Sequence, residues 1–237
     1  MSTNSNRPSG RYPSNGRRPD PRASVKPASI LKNRRLLALI AACVVLLAVI
    51  IGLAIHKKNS KKNADPANVN YVAEITVKDY GSITVALDSS AAPETVANFV
   101  ELAKSGFYDG LTFHRIMDGF MIQGGDPDGN GTGGSGKNIT GEFKLNGFDN
   151  PISHTRGTIS MARANDPNSA SSQFFIVQAD STFLDGSYAA FGRVTSGMEV
   201  VDRICADAEP TDNNGTIPAA QQPVITSLTI SEAEAGK

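Results

Sequence analysis

A single arginine inside an apolar run is the feature of this chain that most constrains its fold. Residues 113–126 read Phe-His-Arg-Ile-Met-Asp-Gly-Phe-Met-Ile-Gln-Gly-Gly-Asp. In a β-strand alternate side chains share a face, which places Arg115 beside Phe113 and Met117. A guanidinium on such a half-buried surface is costly unless it is paired or used. The segment therefore predicts a strand whose arginine either forms a structural ion pair or belongs to a functional site.

Short runs with period-two alternation recur from residue 71 onward, and two segments have helical spacing instead. Pro93 opens the first helix, which Gly106 closes, and the second helix covers residues 197–206. Many short strands with two helices predict a mostly β fold, a closed antiparallel barrel. The predicted strands are 71–77, 83–87, 112–116, 119–123, 158–162, 173–178, 190–194 and 224–230.

The first 69 residues differ from the rest of the chain in composition. Residues 1–35 are rich in Ser, Asn, Pro, Gly and Arg, which predicts a disordered basic tail. Residues 36–55 contain no charge and, as a helix, would span about 30 Å, the thickness of a bilayer core. A cleaved signal peptide is the alternative, but its apolar region is usually about 7–15 residues long and ends in a small-residue site. We therefore predict a transmembrane helix over 36–55, a linker over 56–69 and a folded domain over 70–235.

Charge is distributed unevenly along the chain. Residues 1–62 carry thirteen Lys and Arg and one acid, whereas residues 63–237 carry ten Lys and Arg and twenty-two Asp and Glu. Because the longer basic segment precedes the apolar run, the positive-inside rule favours a single-pass protein of the cell membrane with an extracytoplasmic domain. An acidic domain argues against nucleic acid as a partner.

Three patterns that could indicate a cofactor, a metal or a disulfide lack the rest of their context. Gly129-Asn130-Gly131-Thr132-Gly133-Gly134 is not followed by an amphipathic helix that could receive a phosphate. A calcium loop beginning at Asp126 would need a glutamate where Lys137 stands. His114 and His154 have no partner at metal-ligand spacing and are expected to be buried and hydrogen-bonded. Cys43 and Cys205 lie in different parts of the chain, so no disulfide is expected. Together these patterns predict neither a cofactor nor a metal.

Four sequence blocks, in order, resemble those of the cyclophilins, a family of peptidyl-prolyl cis-trans isomerases. The resemblance covers roughly residues 70–235 and implies an eight-stranded barrel capped by two helices. It also implies acceleration of X–Pro bond rotation in protein substrates, with proline-containing polypeptides as partners. The blocks are 113–126, 157–163, 172–176, and 183–186 with 191–194.

The same resemblance implies the residues of the site. Arg115 corresponds to the catalytic arginine, and Gln123 and Gln173 to the polar residues that orient it and the peptide. Ala162 and Arg163 correspond to an edge where the substrate backbone pairs. The proline pocket corresponds to Phe120, Met121, Phe175 and Leu184, with Phe183 and Tyr188 beside it.

Three positions depart from the common family pattern. Phe183 stands where many members carry Trp, Tyr188 where many carry His, and Arg163 where many carry Asn. An indole N–H can donate a hydrogen bond that a phenyl ring cannot. The departure at position 183 therefore implies weak binding of cyclosporin, while the reaction itself is unaffected.

The expected chemistry needs no nucleophile. Amide resonance sets the barrier to peptide rotation at about 18–20 kcal/mol, and the twisted amide has a basic nitrogen. A guanidinium aimed at that nitrogen and an apolar pocket would both favour the transition state. Since the domain follows a predicted membrane span, we expect a folding catalyst for exported proteins. A non-catalytic proline-binding chaperone module with the same groove is the alternative.

Overall fold

The computed structural model describes residues 71–232, which contain eight strands, two α-helices and three short 3-10 helices. The predicted basic tail, transmembrane helix and linker lie outside these residues. Among the described residues, no helix is both long enough and apolar enough to cross a membrane. The strands are β1 (Tyr71–Val77), β2 (Gly81–Leu87), β3 (Thr112–Met117), β4 (Met121–Asp126), β5 (Thr158–Met161), β6 (Phe174–Val177), β7 (Ala190–Ser196) and β8 (Ile225–Glu232), and the helices are α1 (Pro93–Lys104) and α2 (Met198–Ala206).

The eight strands form one antiparallel sheet in the order β3-β4-β6-β5-β7-β2-β1-β8. The end strands β3 and β8 are not joined by a continuous ladder. They meet through one isolated bridge, between Thr112 and Val224, and a few backbone bonds, such as Ile225 N to Leu111 O at 2.8 Å. The sheet is therefore an antiparallel half-barrel with two helices, and the prediction of a fully closed barrel needs this correction.

Most predicted strands and both helices coincide with observed elements, but β4 is displaced. It was predicted over 119–123 and runs from Met121 to Asp126. Gly119 has a φ of +75° and lies in the β3–β4 turn, which the bond from Phe120 N to Met117 O closes. The strand continues through Gly124, a position that requires glycine because a Cβ there would approach the Thr112 carbonyl oxygen to 2.7 Å. The apolar pattern did not reveal that two glycines were needed inside the strand.

The two faces of the half-barrel bury different apolar clusters. Phe174 and Ile176 of β6 point into the main core, where the ring of Phe174 packs edge to face against Phe99 of α1. Phe175 and Val177 of the same strand point to the opposite face and belong to a second cluster. Because of this alternation, the inner face of the sheet packs against the main core, and the outer face presents an apolar surface where a ligand can bind.

A buried carboxylate anchors the start of α1. Glu142 accepts the backbone N–H groups of Glu94 and Thr95 at 2.9 and 2.8 Å. These amides have no partner within the helix, and the positive end of the helix dipole stabilises the negative charge. Since Phe143 follows Glu142 directly, this contact also fixes the chain where Phe143 enters the main core.

Candidate active site

Arg115 lies on β3 at the outer face of the half-barrel. The register of β3 against β4 shifts between Phe113 and Arg115, so Phe113 packs in the main core while Arg115 faces the second cluster. The prediction that these two side chains share a face is therefore wrong. The irregularity adds a residue to the strand and reverses the alternation, which no period-two pattern can predict.

The guanidinium of Arg115 is held by neutral groups. Its Nε donates to the Asn214 carbonyl at 2.7 Å, and Nη1 donates to Gln123 Oε1 at 3.2 Å. The sulfur atoms of Met117 and Met121 lie 3.1 and 3.7 Å from Nη2 and Nη1. Arg115 forms no ion pair with any described residue, so the structural ion-pair reading is not supported. Burial lowers the pKa of Arg115 from its ordinary value, yet arginine stays charged in proteins.

Two amide side chains extend from Arg115 in a fixed direction. Gln123 Nε2 donates to Gln173 Oε1 at 3.0 Å, and Gln173 Nε2 donates to the Gly133 carbonyl at 2.8 Å. One end of this chain is a guanidinium, which can only donate, and the other is a carbonyl, which can only accept. Both glutamines must therefore turn their oxygens toward Arg115.

An apolar wall adjoins the guanidinium and completes a cavity of about 250 Å³. Met121, Phe175 and Leu184 are buried in the wall, and Phe120 and Tyr188 pack against them. Each residue that lines the cavity belongs to the predicted site: Arg115, Phe120, Met121, Gln123, Ala162, Arg163, Phe175, Leu184 and Tyr188.

The remaining two predicted residues lie beside this cavity. Phe183 is 73% exposed, and its ring centroid lies 5.6 Å from that of Phe120, so it extends the wall outward. Gln173 lines a second, adjoining cavity of about 200 Å³ together with Ser169, Ser171 and Thr132. The two cavities, here called the apolar cavity and the polar cavity, share Gln123, Ala162 and Arg163 and form one groove.

Ala162 and Arg163 form the edge between the two cavities. The Ala162 N–H donates to the Gln173 carbonyl at 2.9 Å, so this amide is already paired within the chain. The Arg163 side chain donates to the backbone carbonyls of Ser187, Ala164 and Asn165. Its guanidinium also lies over the rings of Tyr188 and Phe143, at 4.8 and 5.0 Å.

The segment 211–217 was not assigned to the site, although it supplies the closest partner of Arg115. Asp212 Oδ1 accepts the backbone N–H groups of Asn214 and Thr216, and Ile116 N donates to the Gly215 carbonyl at 2.8 Å. Asp-Asn-Asn-Gly is a turn sequence, so a turn could have been predicted. Its contact with Arg115, 99 residues away in sequence, could not.

The two described histidines differ in their bonding. His154 is buried, with Nδ1 2.8 Å from Asp185 Oδ1 and Nε2 3.0 Å from Ser160 Oγ, as expected. His114 is also buried, but within residues 71–232 neither of its ring nitrogens has a hydrogen-bond partner, so that part of the prediction is wrong. No group of three or more His, Cys, Asp or Glu side chains in the same range could hold a metal ion.

A half-barrel with an arginine at the rim of an apolar outer cavity is typical of the cyclophilin class. The family described as cyclophilin type peptidyl-prolyl cis-trans isomerase/CLD matches residues 72–233. The chain therefore belongs to this family, and it is a peptidyl-prolyl cis-trans isomerase.

Curated relatives and a solved structure agree with that assignment. Peptidyl-prolyl cis-trans isomerase B of Bacillus subtilis is 49% identical over 123 residues, 52% of this chain and 82% of the relative. An isomerase of Helicobacter pylori is 47% identical over 135 residues, 56% of this chain and 80% of the relative. A cyclophilin type isomerase of Cryptosporidium parvum, solved in the presence of the dipeptide Ala-Pro, has a TM-score of 0.59 and 30% identity. That comparison covers 68% of this chain and 99% of the other.

Proposed function

We propose that Arg115 catalyses rotation of X–Pro bonds by donating to the prolyl nitrogen as the amide twists, with the proline ring in the apolar cavity. The observation that carries this proposal is the geometry of one cavity. Its wall is apolar, and Arg115 is held there by neutral partners, the Asn214 carbonyl and Gln123 Oε1. A planar guanidinium with several donors can hold the substrate and still direct one N–H at the nitrogen.

The energies involved require more than the arginine alone. Reducing tens of seconds to milliseconds needs about a 10⁴–10⁵-fold gain, or roughly 5.5–7 kcal/mol. A charge-assisted hydrogen bond contributes about 1.5–3 kcal/mol. The rest comes from the apolar surroundings, which favour an amide that has lost its charge separation, and from holding the peptide on both sides of the bond.

Turnover of a tetrapeptide that contains Ala-Pro tests this function. Magnetisation exchange between the cis and trans forms reports the rate without a coupled protease. The Cryptosporidium relative was solved in the presence of Ala-Pro, which makes this sequence a reasonable first substrate. Binding of the peptide with no acceleration of exchange would favour the alternative, a non-catalytic chaperone module.

We further propose that the enzyme is anchored in the cell membrane by residues 36–55 and acts outside the cytoplasm on exported chains. The support is the uncharged twenty-residue run and the excess of Lys and Arg before it. The full chain should remain with membranes after a carbonate wash, whereas a chain beginning at residue 66 should be released. Recovery of a shortened mature form from cells would instead support a cleaved signal peptide.

The side of the membrane can be tested on intact cells. If the isomerase domain lies outside the cytoplasm, an external protease should remove it while leaving a cytoplasmic marker intact. Protection of the domain in intact cells, with digestion after lysis, would reverse the proposed orientation.

Cyclosporin is proposed as a weak ligand of the apolar cavity, because Phe183 offers only apolar area.

A further inference from the structure

The groove has a charge opposite to that of the domain that carries it. Residues 71–232 contain nine Lys and Arg and twenty Asp and Glu. Yet the linings of the apolar and polar cavities contain two arginines, Arg115 and Arg163, and no acid. A positive groove on a negative domain attracts acidic peptides locally while the rest of the surface repels them.

The charge of Arg163 is not neutralised by an ion pair. Its four hydrogen bonds go to backbone carbonyl oxygens, of which Ser187 O is 2.9 Å from Nη2 and Ala164 O is 2.8 Å from Nη1. No carboxylate of the described part of the chain forms a salt bridge with it. Carbonyl oxygens satisfy the donors but leave the full positive charge in place.

Three acids lie near the polar cavity, and the carboxylates of two of them are bonded to backbone N–H groups. Asp126 and Asp128 lie beside Gly133, and Asp126 accepts three backbone N–H groups, from Asp128, Asn130 and Gly131. Asp166, on the turn after Arg163, accepts the N–H of Asn168. These contacts hold the carboxylates of Asp126 and Asp166 in loops, and none of the three acids lines either cavity.

The position of Arg163 puts this charge beside the path of a substrate. It lies at the edge that both cavities share, so a peptide with its proline in the apolar cavity must cross it to enter the polar cavity. An extended chain advances about 3.3 Å per residue, which brings the first or second neighbour of the proline to this edge. The polar cavity beyond this edge is lined by uncharged side chains, among them Thr132, Ser169 and Ser171, so no acid there would repel an acidic side chain.

We propose that Arg163 makes this isomerase selective for substrates with an acidic residue one or two positions from the proline, on the side that crosses the Ala162–Arg163 edge. The proposal rests on the proposed function and adds a substrate class to it. Partly exposed ion pairs are weak, so the preference should be about two- to fivefold in kcat/KM for Glu over Gln.

The test uses the full-length protein and paired peptides with Glu or Gln at each of the two positions before and after the proline. We expect a Glu-to-Gln ratio of kcat/KM near two to five on one side of the proline only, and a Lys peptide below the Gln peptide. Raising the salt from about 0.01 M to about 1 M shortens the Debye length from about 30 to about 3 Å and should bring the ratio close to one.

Three variants separate charge from shape. Arg163→Gln should lose the Glu preference, and Arg163→Lys, which keeps the charge, should retain it. Arg193→Gln removes an arginine that lines neither cavity of the groove and should keep the wild-type ratio. Ratios near one at low salt in the wild type, or an unchanged preference in Arg163→Gln, would overturn the proposal. If no Gln peptide is turned over, the proposed function fails instead, and this selectivity with it.

Discussion

In the free enzyme, the hydrogen bonds of Arg115 leave some of its N–H donors without a strong acceptor. Only Nε has a strong, short bond, to the Asn214 carbonyl, whereas the described contact of Nη2 is to the Met117 sulfur. A thioether is a weak acceptor, so exchanging it for a prolyl nitrogen costs little. In the proposed mechanism the interaction strengthens only as that nitrogen becomes basic, which is the condition for lowering the barrier rather than binding the ground state.

Replacing Arg115 by Ala should reduce kcat/KM on an Ala-Pro tetrapeptide by roughly 10- to 150-fold, the equivalent of one charge-assisted hydrogen bond. The fold should be unaffected, because Arg115 is only partly buried and forms no described ion pair. Exchange spectroscopy gives the rate, and the unfolding midpoint gives the stability. A rate within twofold of wild type would contradict the assigned role.

Arg115→Lys should also stay below about a tenth of the wild-type rate. One ammonium nitrogen cannot donate to Asn214, Gln123 and a substrate in the geometry of the planar fork. Arg193→Ala, which removes an exposed arginine from β7, is the matched control and should turn over the peptide normally.

Phe183 gives a prediction about the affinity for a ligand and not about the catalytic rate. Its exposed ring can be enlarged to an indole without entering the core, and the indole N–H can donate to a ligand carbonyl. A neutral hydrogen bond contributes about 0.5–1.5 kcal/mol, so Phe183→Trp should tighten cyclosporin binding by at most about tenfold. Calorimetric titration of both forms measures the difference, and turnover of the tetrapeptide should be unchanged. Equal affinities would show that the N–H contributes nothing here.

The 211–217 turn acts as a support for β3. It pairs with the strand through Gly215 O and Ile217 N, the latter donating to the His114 carbonyl at 3.0 Å. The Asp212 carboxylate organises the turn, and the backbone N–H of Thr216 is the main reason that the pKa of this group is lowered. The direction of the Arg115 guanidinium thus depends on an exposed acid that does not touch it.

Asp212→Ala should therefore lower kcat by roughly three- to tenfold, because the bond from Arg115 to the Asn214 carbonyl loses its fixed geometry. Asp212→Asn can still cap the turn and should recover most of the rate. Asp88→Ala is the matched control: its carboxylate likewise accepts two backbone N–H groups, from Ser90 and Ala91, but it lines neither cavity of the groove. If both Ala variants lose activity equally, the loss reflects general stability and not the position of Arg115.

Elements with strong local patterns were predictable from the sequence, and the contacts between them were not. The alternation of β1 and β2 and the apolar stripes of both helices gave bounds within a few residues. The nine residues of the apolar cavity followed from the family resemblance, since any one of them, such as Leu184, could equally be ordinary core. The irregular register at Phe113, the Asn214 contact and the unpaired nitrogens of His114 depend on packing between distant segments.

Two buried histidines connect the stability of the entire domain to pH. Burial is the main cause that lowers the pKa of His114 and of His154 below the ordinary 6.5, although Asp126 and Asp185 oppose it. The folded state therefore binds fewer protons than the unfolded state at mildly acidic pH. Folding stability then increases with pH in this window and falls as the pH drops below 6.5.

Asp126 and Asp185 also make folding stability increase with pH, but they do so at lower pH than the histidines. Backbone N–H groups lower the pKa of Asp126, and bonds from Ser153 and His154 lower that of Asp185, each against the opposing effect of burial. Their stabilisation is complete above about 3.8 and is lost only as the pH falls through the folded-state values. Between pH 7.5 and 5 the histidines should therefore dominate the pH dependence.

We expect the free energy of unfolding to decrease from pH 7.5 to pH 5, with a limiting slope of about 1.4 kcal/mol per pH unit for each histidine. Urea unfolding of a chain that begins at residue 66, which lacks the third histidine, His56, measures this slope without the membrane segment. His114→Gln and His154→Gln should each reduce the slope, and the double variant should be nearly flat over this range, even if it is less stable overall. A wild-type stability that does not change between pH 7.5 and 5, or a double variant with an undiminished slope, would contradict the assignment of this dependence to the two buried rings.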